Sequence, residues 1–279
     1  METEGAIRIS LFILVFIAIA YWERRRPRRD TATHRKNRWL SNIALTLINT
    51  LTIRLVFPMA AVGMAFFAEQ NQLGLLNIIN LPMSISILAS IIFLDLFIYF
   101  QHVLFHAVPA LWRLHMVHHT DTDYDLTTGF RFHPIEIVLS MGLKSLAILA
   151  IGPPIIAVLV FEILLSSCAM FNHGNIKLPE KVDAILRRII VTPDMHRVHH
   201  SPIKMETNSN FGFNLSIWDK LFGTYTQNTL SNQRTMPIGL ENYQQPKNLN
   251  FFQLLKLPFT AKTGTYPINK SEQSKDSPP

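Results

Sequence analysis

Histidine is the residue whose spacing carries chemistry in this chain. Ten of the eleven histidines fall between His102 and His200, and only His34 lies outside that stretch. His102 and His106 are four apart. His115, His118 and His119 form an H-x-x-H-H box, His196, His199 and His200 form another, and His133 and His173 stand singly beside predicted helix ends. Residues three and four apart share a helix face, so a pair or a box can aim its imidazoles at one point. Imidazole is a ligand for zinc, copper, iron and nickel. A single box is weak evidence, because histidines on a helix are more often surface or core residues; two boxes and a pair together are hard to explain as packing. Ten histidines also exceed the roughly four to six ligands that one first-row ion takes, so the count predicts two ions in a nitrogen-rich site. The candidate ligands are His102, His106, His115, His118, His119, His133, His173, His196, His199 and His200. Asp121, Asp123 and Asp125 imitate the start of a calcium loop, but Leu126 replaces the required glycine and Phe132 the closing glutamate. They are read as a solvated turn.

The elements that must position these side chains are membrane helices. Hydrophobic residues make up 48 % of the 279 and charged residues 16 %, where soluble domains carry about 25 % charged. The lone cysteine, Cys168, excludes an intramolecular disulfide framework and zinc fingers. The net charge of +7 sits in clusters beside apolar runs, which fits a membrane surface rather than nucleic acid. Apolar runs cover Ala6 to Trp22, Trp39 to Phe67, Pro82 to Phe100, Ile135 to Ile151 and Ile155 to Phe171. The first is read as a retained helix, since ERRRPRR rather than small residues follows it. The second is interrupted by Arg54 and Pro58 and is one kinked span or a tight pair. Gly152-Pro153-Pro154 predicts a helical hairpin from the last two. Arg24, Arg25, Arg26, Arg28, Arg29, Arg35, Lys36 and Arg38 follow the first span, whereas Glu69 to Asn80 has no lysine or arginine. By the positive-inside rule the basic loop is cytoplasmic and the N-terminus outside. The expected fold is all-α: an integral membrane helical bundle of four to six spans with a cytoplasmic helical cap, holding a histidine-rich dimetal site. Residues 1–93 would be N-terminal membrane helices and 94–226 a catalytic domain that includes the hairpin 135–171. Residues 227–279 would be a cytoplasmic extension, disordered from about 262.

The motifs are similar to those of the fatty acid hydroxylase and sterol desaturase superfamily of membrane di-iron oxygenases, over about half the chain. The likeness runs through Asp95-x-x-x-Tyr99-x-x-His102-x-x-x-His106, Trp112-x-x-His115-x-x-His118-His119, Arg131-Phe-His133-Pro134-x-Glu136, Asn172-His173 and His196-x-x-His199-His200. Asn210-Phe211-Gly212 and Trp218-Asp219-x-Leu221-Phe222-Gly223-Thr224 resemble its C-terminal signature. Val103 stands where members often have arginine, and Ala169 where some fatty acid hydroxylases have a further histidine; either His133 replaces it or its metal has one more open site. The resemblance implies two iron ions held by the histidines (zinc being possible in protein as purified). It also implies oxygen insertion into, or hydrogen removal from, a C–H bond of a fatty acyl chain or sterol, and it leans towards bacterial members, hence an inner membrane.

Around the ligands, Asp95 lies seven residues before His102, on the same helical face, placed to accept the free N–H of His102 or His106 or to pair with Arg54. Glu136, three residues after His133, is a second such acceptor. Asn172 and Asn175 either hold a water beside the metals or cap helix ends. Thr192 and Pro193 predict the start of a helix that carries the last box. Oxygen activation needs electrons, and no G-x-G-x-x-G or C-x-x-C-H motif is present. A separate reductase, ferredoxin or cytochrome is expected, docking at Arg187, Arg188 and Arg197, for which contact with lipid headgroups is the alternative. The phrase Thr127-Thr128-Gly129-Phe130-Arg131 also looks like alkylglycerol monooxygenases, which keeps ether-lipid cleavage open. A zinc hydrolase would want a carboxylate beside the metal, as in H-E-x-x-H, and neither box contains one. A metal transporter would place its ligands near mid-membrane.

Overall fold

The computed structural model describes residues 2–30, 35–79, 81–244 and 249–269, and these contain helices, turns and two isolated antiparallel bridges. The first four helices are α1 (Glu2–Arg25), α2 (Arg35–Val56), α3 (Ala60–Gln70) and the single turn α4 (Leu75–Ile78). Then follow α5 (Met83–Ala107), α6 (Pro109–His119), α7 (Pro134–Ile151) and α8 (Ile155–Asn172). Short cap helices complete the order: α9 (Glu180–Leu186), α10 (Pro193–His199), α11 (Lys204–Thr207), α12 (Ile217–Leu221) and the longer α13 (Phe251–Thr260).

Among the described residues, five stretches are long and apolar enough to cross a membrane: Gly5–Arg25, Arg35–Ile78, Met83–Ala107, Pro134–Ile151 and Ile155–Asn172. Ile9, Ile13, Leu14 and Ile17 of α1 and Leu47, Leu51 and Leu55 of α2 stay exposed, as side chains facing lipid would. The second apolar run is a broken helix, with Pro58 in the break between α2 and α3. Gly152, at φ 63, ends α7, and α8 begins after Pro154. The expected hairpin is splayed, however. α7 packs against α3, α2 and α5, and α8 against α5, α1 and α3, with a shared core of Ala61, Val62, Ala65, Leu94, Ile98, Ile148, Val158 and Phe161. Small residues on α3 let it lie close. At the far end Gly74, at φ 92, meets Gly152 so closely that a Cβ on Gly74 would sit 2.2 Å from the Gly152 nitrogen. The opposite end is tied just as firmly. Arg28 and Arg29 after α1 hydrogen-bond Asn175 after α8, and Pro27 bridges Ile176. The basic loop, the ends of α5 and α8 and the start of α7 therefore share one face, where the cap is built.

A second core lies in the cap. Leu45 of α2, Trp112, Met116 and Val117 of α6, and Leu254 and Leu257 of α13 pack with Leu240 and Tyr266. The tail expected to be disordered from about 262 is in place as far as 269, with Tyr266 stacked on Trp112 at 5.8 Å between ring centroids. Residues 270–279 lie outside the described residues.

Candidate metal centre

Four elements deliver the histidines. The last turns of α5 carry His102 and His106. Extended backbone at Val108 and Pro109 at the first position of α6 turn the chain so that His115, His118 and His119 fold back beside them. His173 is the C-cap of α8. Thr192 caps α10, its side chain accepting from the Met195 N–H with Pro193 in the first turn, as the sequence predicts. Short as it is, α10 then presents His196, His199 and the following His200.

Nine of these side chains converge in two groups. His102, His106, His115, His119 and His199 form one; His118, His173, His196 and His200 form the other; within each group, one nitrogen per ring lies within 4.8 Å of the rest. All nine are buried. Burial pushes His115 and His173 down to about 3, and drives His118, His119, His196, His199 and His200 well below the ordinary range, with neighbouring imidazoles adding to the effect. These rings are neutral, the form that binds metal.

Hydrogen bonds fix which nitrogen is free. His102 Nδ1 donates to the Phe211 carbonyl at 2.8 Å, His106 Nδ1 to Asn208 Oδ1 at 3.0 Å, His115 Nδ1 to Glu136 Oε1 at 2.6 Å and His199 Nδ1 to the Ser209 carbonyl at 2.7 Å. Every one of those partners is an acceptor, so the proton sits on Nδ1. The four Nε2 atoms carry lone pairs, are buried, and have no hydrogen-bond partner. In the second group His173 Nδ1 donates to the Ala169 carbonyl, while its Nε2 faces Nε2 of both His118 and His196 at 3.1 Å. One lone pair cannot satisfy two such neighbours. A cation among the three nitrogens resolves the repulsion, so the donor set of each group fits a first-row metal ion.

The supports of these histidines lie mostly in a loop that single-residue reasoning did not pick out. Asn208, Ser209 and Phe211 hold His106, His199 and His102. Asn210 adopts φ 53, a conformation asparagine tolerates, and its side chain ties Met195 to Thr226. Asp219 accepts from the N–H groups of Phe211 and Gly212, so tightly that a Cβ on Gly212 would lie 2.6 Å from Asp219 Oδ2. Asp95, expected to hold His102 or His106 or to pair with Arg54, instead accepts from Trp218 Nε1 at 2.7 Å and Leu215 N–H at 3.2 Å. It braces the loop that orients these histidines. The signal available in the sequence was the Asn210-Phe211-Gly212 and Trp218-Asp219 phrases.

Other expectations change as well. His133 joins neither group: its Nδ1 accepts from the Ile135 N–H as the cap of α7, and its Nε2 faces the Leu255 carbonyl at 3.2 Å. Asn172 donates to the Phe213 carbonyl, and its own carbonyl accepts from Tyr124 OH. The aspartates read as a solvated turn are buried. Arg38, itself 2 % exposed, donates to Asp121 at 2.8 Å and to Asp125, locking the loop that follows the first box. Burial raises the Asp125 carboxyl, but Arg38 and the Thr127 and Trp39 donors outweigh it and hold it below the usual range. Of the three arginines expected on a docking face, Arg197 is fully buried against Asp194, and Arg187 pairs with Asp183.

With this geometry in view, comparison with known proteins is informative. Residues 87–224 match the fatty acid hydroxylase family, a span that holds every histidine of both groups. The chain belongs to that family. It is 26 % identical over 230 residues to an ornithine lipid hydroxylase, OlsE, of Rhizobium tropici, covering 77 % of this chain and 66 % of that protein. It is 32 % identical over 132 residues to the alkylglycerol monooxygenase of Homo sapiens, and 31 % over 132 residues to that of Xenopus tropicalis; each match covers 46 % of this chain and 27 % of the relative. The chain thus spans under two thirds of the length of these relatives. No solved structure matches.

Proposed function

We propose that this chain is a membrane oxygenase that hydroxylates a C–H bond of a lipid. The observation that carries the reading is the pair of buried, neutral histidine groups, five nitrogens and four, set at the ends of membrane-spanning helices. His102, His106, His115, His119 and His199 hold one iron and His118, His173, His196 and His200 the other. Two redox-active ions there supply the reductive cleavage of dioxygen that an unactivated C–H bond demands. The chain's own residues do the rest. Nδ1 acceptors, Glu136 among them, keep His102, His106, His115, His173 and His199 in one tautomer and one orientation. The packed cap excludes water, and the position at the helix ends meets an acyl chain or sterol entering from the bilayer. The likeness to the ornithine lipid hydroxylase supports a polar lipid as substrate.

The positive-inside rule, applied to the loop bonded to Asn175, supports a site on the cytoplasmic face, and the likeness to the Rhizobium tropici hydroxylase supports a bacterial inner membrane. Ether-lipid oxygenation is a second reading, favoured by the 32 % identity to human alkylglycerol monooxygenase. Hydrolysis by zinc is disfavoured: neither group includes a carboxylate, and Glu136 is engaged by His115.

The test is turnover of a bacterial lipid extract by the purified, reduced, iron-loaded protein under isotopically labelled dioxygen. The reading predicts a lipid that has gained one labelled oxygen atom. Release of a headgroup or acyl chain without label would contradict it.

A further inference from the structure

Pro27, Arg28, Arg29, Asp30, Lys177 and Arg234 line a groove of ≈ 220 Å³ on the face that carries the cap. Four of the six are cations and one is a carboxylate. Its floor is bonded at two points to residues that lie close in sequence to the histidine groups. Arg29 N–H donates to Asn175 Oδ1 at 2.9 Å and Asn175 Nδ2 returns a bond to the Arg29 carbonyl, and Asn175 is two residues from His173. The Arg28 guanidinium pairs with Asp194 at 2.8 Å, and Asp194 is two residues before His196. Arg29 is also held by the carbonyls of Gln233 and Met236, next to Arg234. The arginines of the floor are thus fixed, while Lys177 and Arg234 stand exposed at the rim, Arg234 at 66 % beside Asp30.

From this placement we infer that the groove is the docking surface for an acidic electron-carrier protein, with the four-histidine group of His118, His173, His196 and His200 as the point of entry. The inference rests on the oxygenase reading. Hydroxylation converts R–H and dioxygen to R–OH and water only with two further electrons and two protons. Two reduced carriers, each oxidised by one electron, supply the pair, and the protons come from solvent. The groove offers what such a carrier needs: fixed positive charge that steers an acidic partner, and hydrogen bonds from its floor to Asn175 and Asp194, each two residues from a histidine of the four-membered group. This differs from the face marked by Arg187, Arg188 and Arg197, since Arg197 is buried.

The experiment uses the full chain in lipid nanodiscs, with a small acidic iron–sulfur ferredoxin and an acidic cytochrome b5-type domain as probes. The variants are Lys177→Glu and Arg234→Glu, singly and together; both positions lie away from the ligands. Binding of at least one probe to the unaltered protein is expected, weakening as salt rises from about 0.05 to 0.5 M. The double variant should bind about tenfold more weakly at low salt, with metal content and melting temperature unchanged. Turnover driven by the carrier should fall in step, while turnover driven by dithionite should not. No binding of either probe by the unaltered protein, or equal binding by the double variant, overturns the docking surface. So does a loss confined to binding of anionic phosphatidylglycerol vesicles, which would make the groove a headgroup site. Absence of dithionite-driven turnover in the unaltered protein would instead count against the oxygenase reading, and the binding comparison would still decide the surface.

Discussion

At the scale of the residue, the account turns on which ring nitrogen each histidine leaves free. Glu136 holds His115 by its Nδ1 proton, and an acceptor in that place both orients the ring and strengthens it as a ligand. Glu136→Ala should lower metal affinity about 10- to 100-fold, with Glu136→Gln recovering much of it, because the amide oxygen still accepts. Competition against a chelator measures this; unchanged affinity in the alanine variant would show that Glu136 does not act on the site. His133 makes the contrasting case. His133→Ala should leave metal content intact and cost about 1 kcal/mol through loss of the α7 cap, whereas His118→Ala should remove metal. Equal metal loss in the two variants would return His133 to the ligand set. The histidine pattern marked ten candidate ligands in the sequence, nine of which converge in the two groups, but it could not separate His133, which shares their type and neighbourhood and differs only in where its ring nitrogens point.

Among elements, the loop running from Asn208 to Asp219 does for the ligands what helix packing alone does not. Asp95 was legible as an acid placed within a span, yet its partner Trp218 is 123 residues away in sequence, and no local periodicity reaches that far. The same holds for Asp121 and Asp125, whose spacing resembles a solvated turn until Arg38 arrives from α2. Charge also clamps the spans. Glu162 of α8 pairs with Arg8 of α1 at 2.8 Å and Lys144 of α7 at 3.1 Å. Those pairs join α1 to the splayed hairpin at a depth where unpaired charge is costly. Glu162→Ala leaves two cations without their carboxylate and should destabilise the bundle by about 3 to 5 kcal/mol, read from unfolding in mild detergent. A change under about 1 kcal/mol, as for an exposed pair, would mean that the triad does not hold the helices.

For the molecule as a whole, the apolar spans and their order were readable from hydropathy, although their number stayed between four and six, and Pro58 marked an interruption without deciding between a kink and a break. The packing of α3 and α5 between the arms of the hairpin was not, because it depends on small residues whose neighbours are distant in sequence. The ties between Arg29 and Asn175 and between Gly74 and Gly152 set which loops share a side. Reporters placed near residues 175 and 225 should therefore respond alike and one near residue 74 oppositely; agreement among all three would break the topology. Stability should also depend on pH. Burial holds His115 and His173 at about 3 when folded, against about 6.5 when unfolded. The unfolded chain binds more protons in that window, so stability is present above about pH 6.5 and is lost as pH falls. Chelator-treated protein should melt at progressively lower temperature below about pH 6.5, and a flat profile would contradict the burial of neutral imidazoles.

Metal content tests the central claim most directly. Protein purified anaerobically from iron-supplemented cells, with iron and zinc counted per chain, should carry about two irons that are reducible and react with dioxygen. Loss of iron should follow substitution of either His118 or His199, one from each group. Zinc alone, persisting under those conditions without dioxygen uptake, would contradict the account.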